Sequence, residues 1–287
     1  MTSFKTSLKK AFHKTLYVIP GAEATWIGLN RAIGRFPSQA FSGWGMTTDT
    51  LPPWAGGKGD PLTREFAATH DDLVRRVREG RFHLSQFEDV ASQPRLMGEL
   101  MWRHFLVFWS ARYAAEATSD QVKTLVECGV CDGLTIHFAM TALNGRWPFR
   151  TYLFDAWEAM KPEFLVESER GYAGNYDYLA IDSTKRNLEG FAAQTTYVKG
   201  YIPESFTTVA LPDSVAWLHV DLNASVPTQA VLDTFYDRMA PGGVMLFDDY
   251  GWHNQQPTKA VLDAFAASRR GQLLPVPTGQ ALFFKLR

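Results

Sequence analysis

The sequence lacks a run of apolar residues long enough to cross a bilayer. The best candidate, Leu100 to Ala115, is interrupted by Arg103, His104 and Arg112, whereas a helical span needs roughly 18 or more apolar residues in a row. The N-terminal lysines are not followed by a continuous apolar core, so we do not expect a secretory signal. A cytoplasmic protein without stable membrane insertion is the expectation.

The sequence also has few cysteines and almost no net charge. The 287 residues include two cysteines, too few for a disulfide-rich secreted scaffold. Lysine and arginine number 29 against 30 aspartates and glutamates, for a formal net charge of −1. Nucleic-acid-binding proteins usually carry a basic excess, so we expect no nucleic-acid partner.

The first third of the chain differs from the rest in composition and in the spacing of its apolar residues. Residues 1–16 have apolar positions spaced by four, residues 35–62 are rich in glycine, proline and tryptophan, and residues 63–78 are helical in pattern. An irregular segment as long as 35–62 is usually a lid, a binding loop or a contact arm. We therefore expect residues 1–95 to form a helical and loop extension, a lid or a contact with a second copy, and residues 96–287 to form the main domain.

From residue 120 onward, strand-like and helix-like segments alternate. The predicted strands lie at about 123–128, 150–155, 195–199, 215–221 and 243–248, and the predicted helices at about 133–143, 177–192, 203–210, 227–239 and 257–270. Strands joined by crossover helices are parallel, whereas the tightly connected segments 272–276 and 280–286 must be antiparallel. The prediction is a Rossmann-like α/β fold with a mostly parallel seven-stranded sheet and a C-terminal antiparallel hairpin.

Acidic residues end two of these strands. Asp221 follows the fourth strand, and Asp248 and Asp249 follow the fifth. Ligands of open parallel sheets bind at the carboxyl ends of the strands, so we expect the three carboxylates to share one rim. Like charges need a cation or a proton to offset them there. The alternative is that these aspartates only form turns or cap helices.

A glycine-containing turn follows the first strand and opens a helix. Its sequence runs from Glu127 through Cys128, Gly129 and Val130 to Gly133. Glycines at such a turn let the backbone approach a ligand closely, although this spacing is not that of the dinucleotide folds. We expect these five residues to contact a cofactor.

Two residues after the second strand extend this cofactor site. Asp155 stands where an acidic side chain can bind a ribose diol, which fits either NAD or S-adenosylmethionine. Glu127 favours S-adenosylmethionine, because a carboxylate would repel a pyrophosphate but suits the methionine ammonium. Trp157 either stacks on the adenine or packs in the core.

The motifs resemble those of a known family. In family order they are Glu127–Val130, Phe154–Glu158, Lys199–Phe206, Asp221–Asn223, Gly242–Gly251 and Thr278–Gln280. Over residues 95–287 the chain resembles the macrocin O-methyltransferase (TylF-like) family of class I S-adenosylmethionine-dependent methyltransferases. The resemblance implies O-methylation of a sugar or glycosylated small molecule, with Mg²⁺ held by Asp221, Asp248 and Asp249. Characterised members tend to carry an aspartate where this chain has Asn223, which cannot act as a base at neutral pH.

Candidate catalytic residues follow from this arrangement. Asp221 would bind the metal and activate the acceptor hydroxyl, and His253 is a candidate general base because an imidazole titrates near neutral pH. His253 could equally be a loop histidine facing solvent. His219 is expected to pack beneath the site and His137 to be structural.

Two other functions remain open from the sequence. A nicotinamide-dependent sugar oxidoreductase is disfavoured by the glycine spacing and by the lack of a Tyr-x-x-x-Lys pair on a helix. A non-catalytic partner subunit, which would keep the methyltransferase fold but lack turnover, is disfavoured by the three close carboxylates. In either case the chain could form a homo-oligomer. The spacing of Cys128 and Cys131 is taken as coincidence, since half a zinc site would need a second pair.

Overall fold

The computed structural model describes residues 61–85, 97, 100–252 and 254–286. The predictions for residues 1–16, for nearly all of the irregular segment 35–62, and for His253 lie outside these residues. Among the described residues, no helix is long and apolar enough to cross a membrane.

Helices and strands alternate along most of the described chain. The α-helices are α1 (Pro61–Arg78), α2 (Met101–Ala117), α3 (Leu134–Leu143), α4 (Ile181–Asn187), α5 (Ser225–Phe235) and α6 (Gln256–Ser268). The strands are β1 (Lys123–Cys128), β2 (Phe149–Asp155), β3 (Thr195–Lys199), β4 (Val215–Val220), β5 (Met239–Phe247), β6 (Leu274–Pro275) and β7 (Ala281–Phe284). Short 3-10 turns lie at Pro162–Phe164, Glu167–Tyr172, Glu189–Gln194, Glu204–Thr207 and Tyr236–Arg238.

One seven-stranded sheet organises these elements. Its strand order is β3-β2-β1-β4-β5-β7-β6, with β1 to β5 parallel and β7 antiparallel to both β5 and β6. The predicted fold class is confirmed. The order reverses direction at β1 and β4, which is the place where open α/β sheets bind their ligands.

The start of β5 differs from the prediction. The helix was predicted to run to about residue 239 and the strand to begin at about residue 243, but the helix ends at Phe235 and the strand already begins at Met239. The register between β4 and β5 shifts near Val215, which indicates a bulge. Gly242 adopts a φ of +87°, and a Cβ atom there would lie 2.5 Å from the carbonyl oxygen of Ala117. The bulge therefore accommodates a glycine where the strand meets the end of α2.

Two apolar layers cover the sheet, one on each face. Leu125, Trp217 and Leu246 point towards α1, α2 and α3, while alternate residues of the same strands point towards α5 and α6. Helix α2 is deeply packed: its residues are buried on most sides, and Trp217 donates a hydrogen bond from Nε1 to Oγ of Ser110 at 2.9 Å. Alternation along each strand places successive side chains in opposite layers.

Helix α1 packs into the layer formed by α2 and α3. The ring of Phe66 lies 5.3 Å from that of Phe105, 5.8 Å from Phe108 and 5.6 Å from Phe138. Residues 61–78 thus share the core of the main domain. The predicted boundary at residues 95 and 96 adjoins residues that are not described, so the division into 1–95 and 96–287 stays a prediction.

His137 belongs to this core, as expected. Its ring packs edge-on against Phe82 at 5.6 Å and Phe191 at 5.7 Å. Burial lowers the pKa of His137 from 6.5 to about 3. Between these values the unfolded chain binds a proton that the native chain does not, so stability falls as the pH drops below 6.5.

This arrangement gives a measurable acid sensitivity. When the pH is lowered from 7 to 5, the burial of His137 should reduce the free energy of unfolding by about 2 kcal/mol. A His137→Gln variant should lose correspondingly less stability over that interval, measured by urea unfolding at both pH values. His83→Gln, at an exposed histidine, controls for loss of a histidine. An unchanged pH dependence in His137→Gln would contradict the assignment.

Candidate active site

Three neighbouring strands end at one rim of the sheet. The amide of Asp221 donates to the carbonyl of Cys128 at 2.9 Å, and that of Asp248 donates to Val220 at 3.0 Å. These hydrogen bonds continue the ladders one residue beyond each strand. The turn after β1 and the acids after β4 and β5 are therefore adjacent, because parallel neighbours end on the same side.

The turn after β1 lies directly against the end of β4. Gly129 has a φ of +85°, and a Cβ atom at this position would lie 1.8 Å from the carbonyl oxygen of Asp221. Gly133, with a φ of +81°, precedes the first turn of α3. Only glycine meets both demands at residue 129, a left-handed backbone and a close backbone approach.

Asp155 holds this turn in place. Its Oδ2 accepts hydrogen bonds from the amides of Val130 at 2.6 Å and Cys131 at 2.9 Å, and its Oδ1 accepts one from the amide of Trp157 at 2.6 Å. Burial raises the pKa of Asp155, and the three amide donors oppose that increase. The carboxylate thus shapes the glycine turn and also lines the adjoining cavity.

The other predicted cofactor residues differ in exposure. Cys128 is fully buried in the layer beneath α5 and α6, while Val130 is 3% exposed and lines a second cavity. Trp157 is also buried, and its Nε1 donates to the carbonyl of Cys131 and to Oγ1 of Thr184. These contacts favour the core alternative for Trp157. Cys128 and Cys131 are not joined by a disulfide bond.

Glu127 forms a buried pair with His219. Its Oε1 lies 2.9 Å from Nδ1 of His219 on the neighbouring strand, and both side chains are fully buried. Burial is the main cause that raises the pKa of Glu127 and lowers that of His219 to about 3. The pair lies beneath the site, as expected for His219, and Glu127 does not line either cavity described below. Its role as an ammonium ligand stays a prediction.

A first cavity, of about 830 Å³ when the open space at its mouth is included, lies beside the glycine turn. Part of its lining comes from the ends of β1 to β4, and the rest comes from the long connection after β2 and from the start of α5. The residues at the strand ends are Gly129, Cys131, Asp155, Ala156, Gly200, Tyr201, Ile202, Asp221 and Leu222. An elongated ligand with a ribose would therefore face Asp155 and lie along the strand ends.

A second cavity lies on the α2 side of the same rim. Its polar lining includes Arg103, Asp221, Asn223, Asp248, Asp249, Gln255 and Gln280, and its rim includes Trp252. Gly129, Cys131, Tyr176, Asp221 and Asn223 line both cavities. Two molecules bound in the two cavities would thus meet beside Asp221.

The carboxylates around the second cavity already form ion pairs or hydrogen bonds with other groups of the protein. Asp248 forms an ion pair with Arg103 through Oδ2 and accepts a hydrogen bond from Nε2 of Gln280 through Oδ1 at 2.7 Å. Asp249 accepts a hydrogen bond from the amide of Asn223 at 2.7 Å. Asp249 thus binds a backbone amide in the turn after β4. This is in part the role of the alternative in which these aspartates only form turns or cap helices.

Asn223 connects both cavities through its side chain. Its Nδ2 lies 3.2 Å from the Tyr176 hydroxyl and 3.2 Å from Oδ1 of Asp221, and its Oδ1 lies 3.4 Å from Nε2 of Gln255. It adopts a φ of +52°, which asparagine tolerates better than most residues. An aspartate here would add a fourth carboxyl group to this cluster.

Magnesium fits this arrangement poorly. Among the described residues, no group of three or more histidines, cysteines, aspartates or glutamates has the geometry to hold a metal ion. Mg²⁺ requires octahedral oxygen ligands at about 2.1 Å, but both oxygens of Asp248 contact Arg103 or Gln280. The predicted Mg²⁺ site at Asp221, Asp248 and Asp249 is not shown.

Two residues of this site were missed by the sequence reasoning. Arg103 was noted only because it interrupts an apolar helix, although a charge in such a helix is itself a signal. Tyr176 lies in the long connection between β2 and α4, where no periodicity marks it. Its hydroxyl is recognised only from its position between the two cavities.

Comparison with known proteins bears on this geometry. Residues 126–250 match a family model described as a methyltransferase domain. This part of the chain is a methyltransferase domain. The chain is thus an enzyme of the S-adenosylmethionine-dependent methyltransferase class, and that class of fold implies S-adenosylmethionine as its cofactor. The finer resemblance to the macrocin O-methyltransferases stays a prediction.

Solved structures support the fold of this methyltransferase. The O-methyltransferase NovP is 16% identical, with a TM-score of 0.59 over 79% of this chain and 100% of its own. The calicheamicin methyltransferase CalS11 is 16% identical, with a TM-score of 0.54 over 80% of this chain and 98% of its own. At such identities the likeness concerns the fold alone. No curated protein sequence matches the chain.

Proposed function

We propose that this methyltransferase transfers a methyl group from S-adenosylmethionine to a hydroxyl of a sugar or glycosylated small molecule. The observation that carries the proposal is the meeting of two cavities at Asp221. One cavity suits a nucleoside cofactor and the other a polar acceptor. The names of NovP, an O-methyltransferase, and CalS11, a calicheamicin methyltransferase, are consistent with this reaction.

The cofactor would lie in the first cavity. Its ribose would face Asp155, and its methionine part would pass along the Gly129 turn, where a side chain would obstruct it. The donor methyl would then point towards Asp221, into the second cavity. The protein's contribution is alignment, for which effective molarities can reach roughly 10⁵ M or more.

The acceptor would bind among the polar side chains of the second cavity. Bound S-adenosylmethionine would supply the methyl group: an O–CH₃ bond to the acceptor hydroxyl oxygen would form as the S–CH₃ bond breaks, with S-adenosylhomocysteine as the leaving group. The carboxylate of Asp221 would accept the hydroxyl proton. The pKa of Asp221 is raised by burial, with Arg103 opposing the shift. No step is assigned to Mg²⁺, because the carboxylates do not fit it.

Three other roles remain predictions. His253 as a general base, the ammonium contact of Glu127 and the self-association of the chain are proposals that need their own measurements. Exposed Trp252 at the rim of the second cavity would suit a sugar face, since an aromatic ring offers an apolar surface beside polar groups.

The reaction can be tested with labelled cofactor. The purified chain is incubated with methyl-labelled S-adenosylmethionine and a panel of nucleotide sugars, glycosides and phenols. We expect label in at least one sugar-containing acceptor and none in the phenols. Label only in phenols would contradict the acceptor class. Binding of NADH without binding of S-adenosylmethionine would favour the oxidoreductase alternative.

A further inference from the structure

The acid cluster at the rim consists of Asp221, Asp248 and Asp249. A positively charged group of the protein, the guanidinium of Arg103, lies beside it. Arg103 lies in the first turn of α2, and its side chain is 23% exposed. It reaches across the second cavity to Asp248, whose side chain is 4% exposed. A buried carboxylate in a cluster needs a compensating charge, and a paired arginine supplies one.

Arg103 acts on the whole cluster and not on Asp248 alone. Its charge opposes the burial-driven increase in the pKa of Asp221, and it does the same for Asp249. The Trp252 ring lies 5.5 Å from its Cζ atom on the side of the cavity mouth. The guanidinium thus contacts both an acid and an aromatic ring, and it occupies the Oδ2 atom of Asp248 that a divalent ion would otherwise bind.

A guanidinium can also take over the role of holding the acceptor. It has five N–H donors, and the pair with Asp248 uses only part of them. A donor directed into the second cavity can bind the acceptor oxygen and stabilise the negative charge that develops as its proton leaves. Arg103 would act by charge and position, while Asp221 accepts the proton.

We propose that Arg103 is the resident cation of this active site and that the chain transfers methyl groups without a divalent metal. The claim that methyl transfer needs no metal, the catalytic part, rests on the proposed function. The claim that Arg103 is the cation of the site, the charge part, rests on the Arg103–Asp248 contact alone. It departs from the Mg²⁺ site that the family resemblance implies.

Metal binding tests the charge part without any turnover. Free Mn²⁺ is measured by electron paramagnetic resonance in the presence of the wild-type chain, where we expect no specific binding. Arg103→Met removes the cation but keeps side-chain length, and should allow Mn²⁺ to bind at least about tenfold more tightly, since the acids then lack a partner. Adding Asp248→Asn to that variant should abolish the gain.

Two control variants separate charge from packing. Arg112→Met removes another ion-paired arginine of α2, which contacts Glu65 away from the site, and should create no Mn²⁺ binding. Arg103→Lys keeps a cation and should also bind no Mn²⁺, which preserves the test if Arg103→Met fails to fold. Mn²⁺ binding by the wild-type chain that Asp248→Asn abolishes would overturn the proposal.

Turnover tests the catalytic part. We expect wild-type transfer to be unchanged in excess EDTA and in added Mg²⁺. Arg103→Met should lower kcat by about 10²-fold, the cost typical of losing one donor to a developing oxyanion, and Arg103→Lys should recover part of it. Inhibition by EDTA with recovery in Mg²⁺ would overturn the proposal. Failure of the proposed function is a different result, namely no transfer to any acceptor, and the Mn²⁺ measurements remain valid in that case.

Discussion

Replacing Gly129 with alanine should abolish cofactor binding and destabilise the fold by about 3 kcal/mol or more, through backbone strain and steric overlap together. The new Cβ would lie 1.8 Å from the carbonyl oxygen and 2.6 Å from the carbonyl carbon of Asp221. Neither atom belongs to a flexible side chain, so the whole turn after β1 would have to move. Urea unfolding and equilibrium dialysis with labelled S-adenosylmethionine measure the two effects.

Gly145→Ala is the matched control for this change. Gly145 has a φ of +73°, close to that of Gly129, but no atom lies within 4 Å of its added Cβ. It should cost only the strain of a left-handed alanine, about 1 kcal/mol, and leave cofactor binding intact. Equal losses of stability and binding in both variants would show that close approach to Asp221 does not matter.

Asp221→Asn should lower the rate of methyl transfer about 10²- to 10⁴-fold, the range for loss of a positioned proton acceptor. The substitution keeps the size of the side chain and its place between the two cavities. Binding of S-adenosylmethionine should change by no more than a few-fold, because the Gly129 turn and Asp155 are untouched. Single-turnover transfer of labelled methyl to the acceptor found above separates the two quantities.

Asp213→Asn controls for the loss of one negative charge. Asp213 is fully exposed just before the opposite end of β4, so its removal should leave both binding and transfer unchanged. Wild-type rates in Asp221→Asn would remove Asp221 from the mechanism and direct attention to His253. A parallel loss of cofactor affinity would instead assign Asp221 to binding.

The strands could be predicted from the sequence because each is a short apolar run closed by a polar residue. The rim followed from topology: once β1, β4 and β5 were parallel neighbours, Gly129, Asp221 and Asp248 had to lie together. The bulge at Gly242 could not be predicted, because it depends on how closely the end of α2 approaches β5.

Side-chain partners across elements were the part that the sequence could not reveal. The sequence suggested that the acids need a cation, and it pointed to Mg²⁺. The structure provides Arg103, which lies 145 residues from Asp248 along the chain. Nothing in either local sequence reveals that contact. The same holds for the Glu127–His219 pair, since a buried carboxylate and a ligand-binding one look alike in sequence.

The most direct test of this account is equilibrium dialysis of the wild-type chain against labelled S-adenosylmethionine, with unlabelled S-adenosylhomocysteine as competitor. We expect one saturable site per chain, from which S-adenosylhomocysteine displaces the label fully, and we expect binding to be lost in Gly129→Ala but not in Gly145→Ala. A folded wild-type chain that binds no S-adenosylmethionine would contradict the assignment of the first cavity to the cofactor.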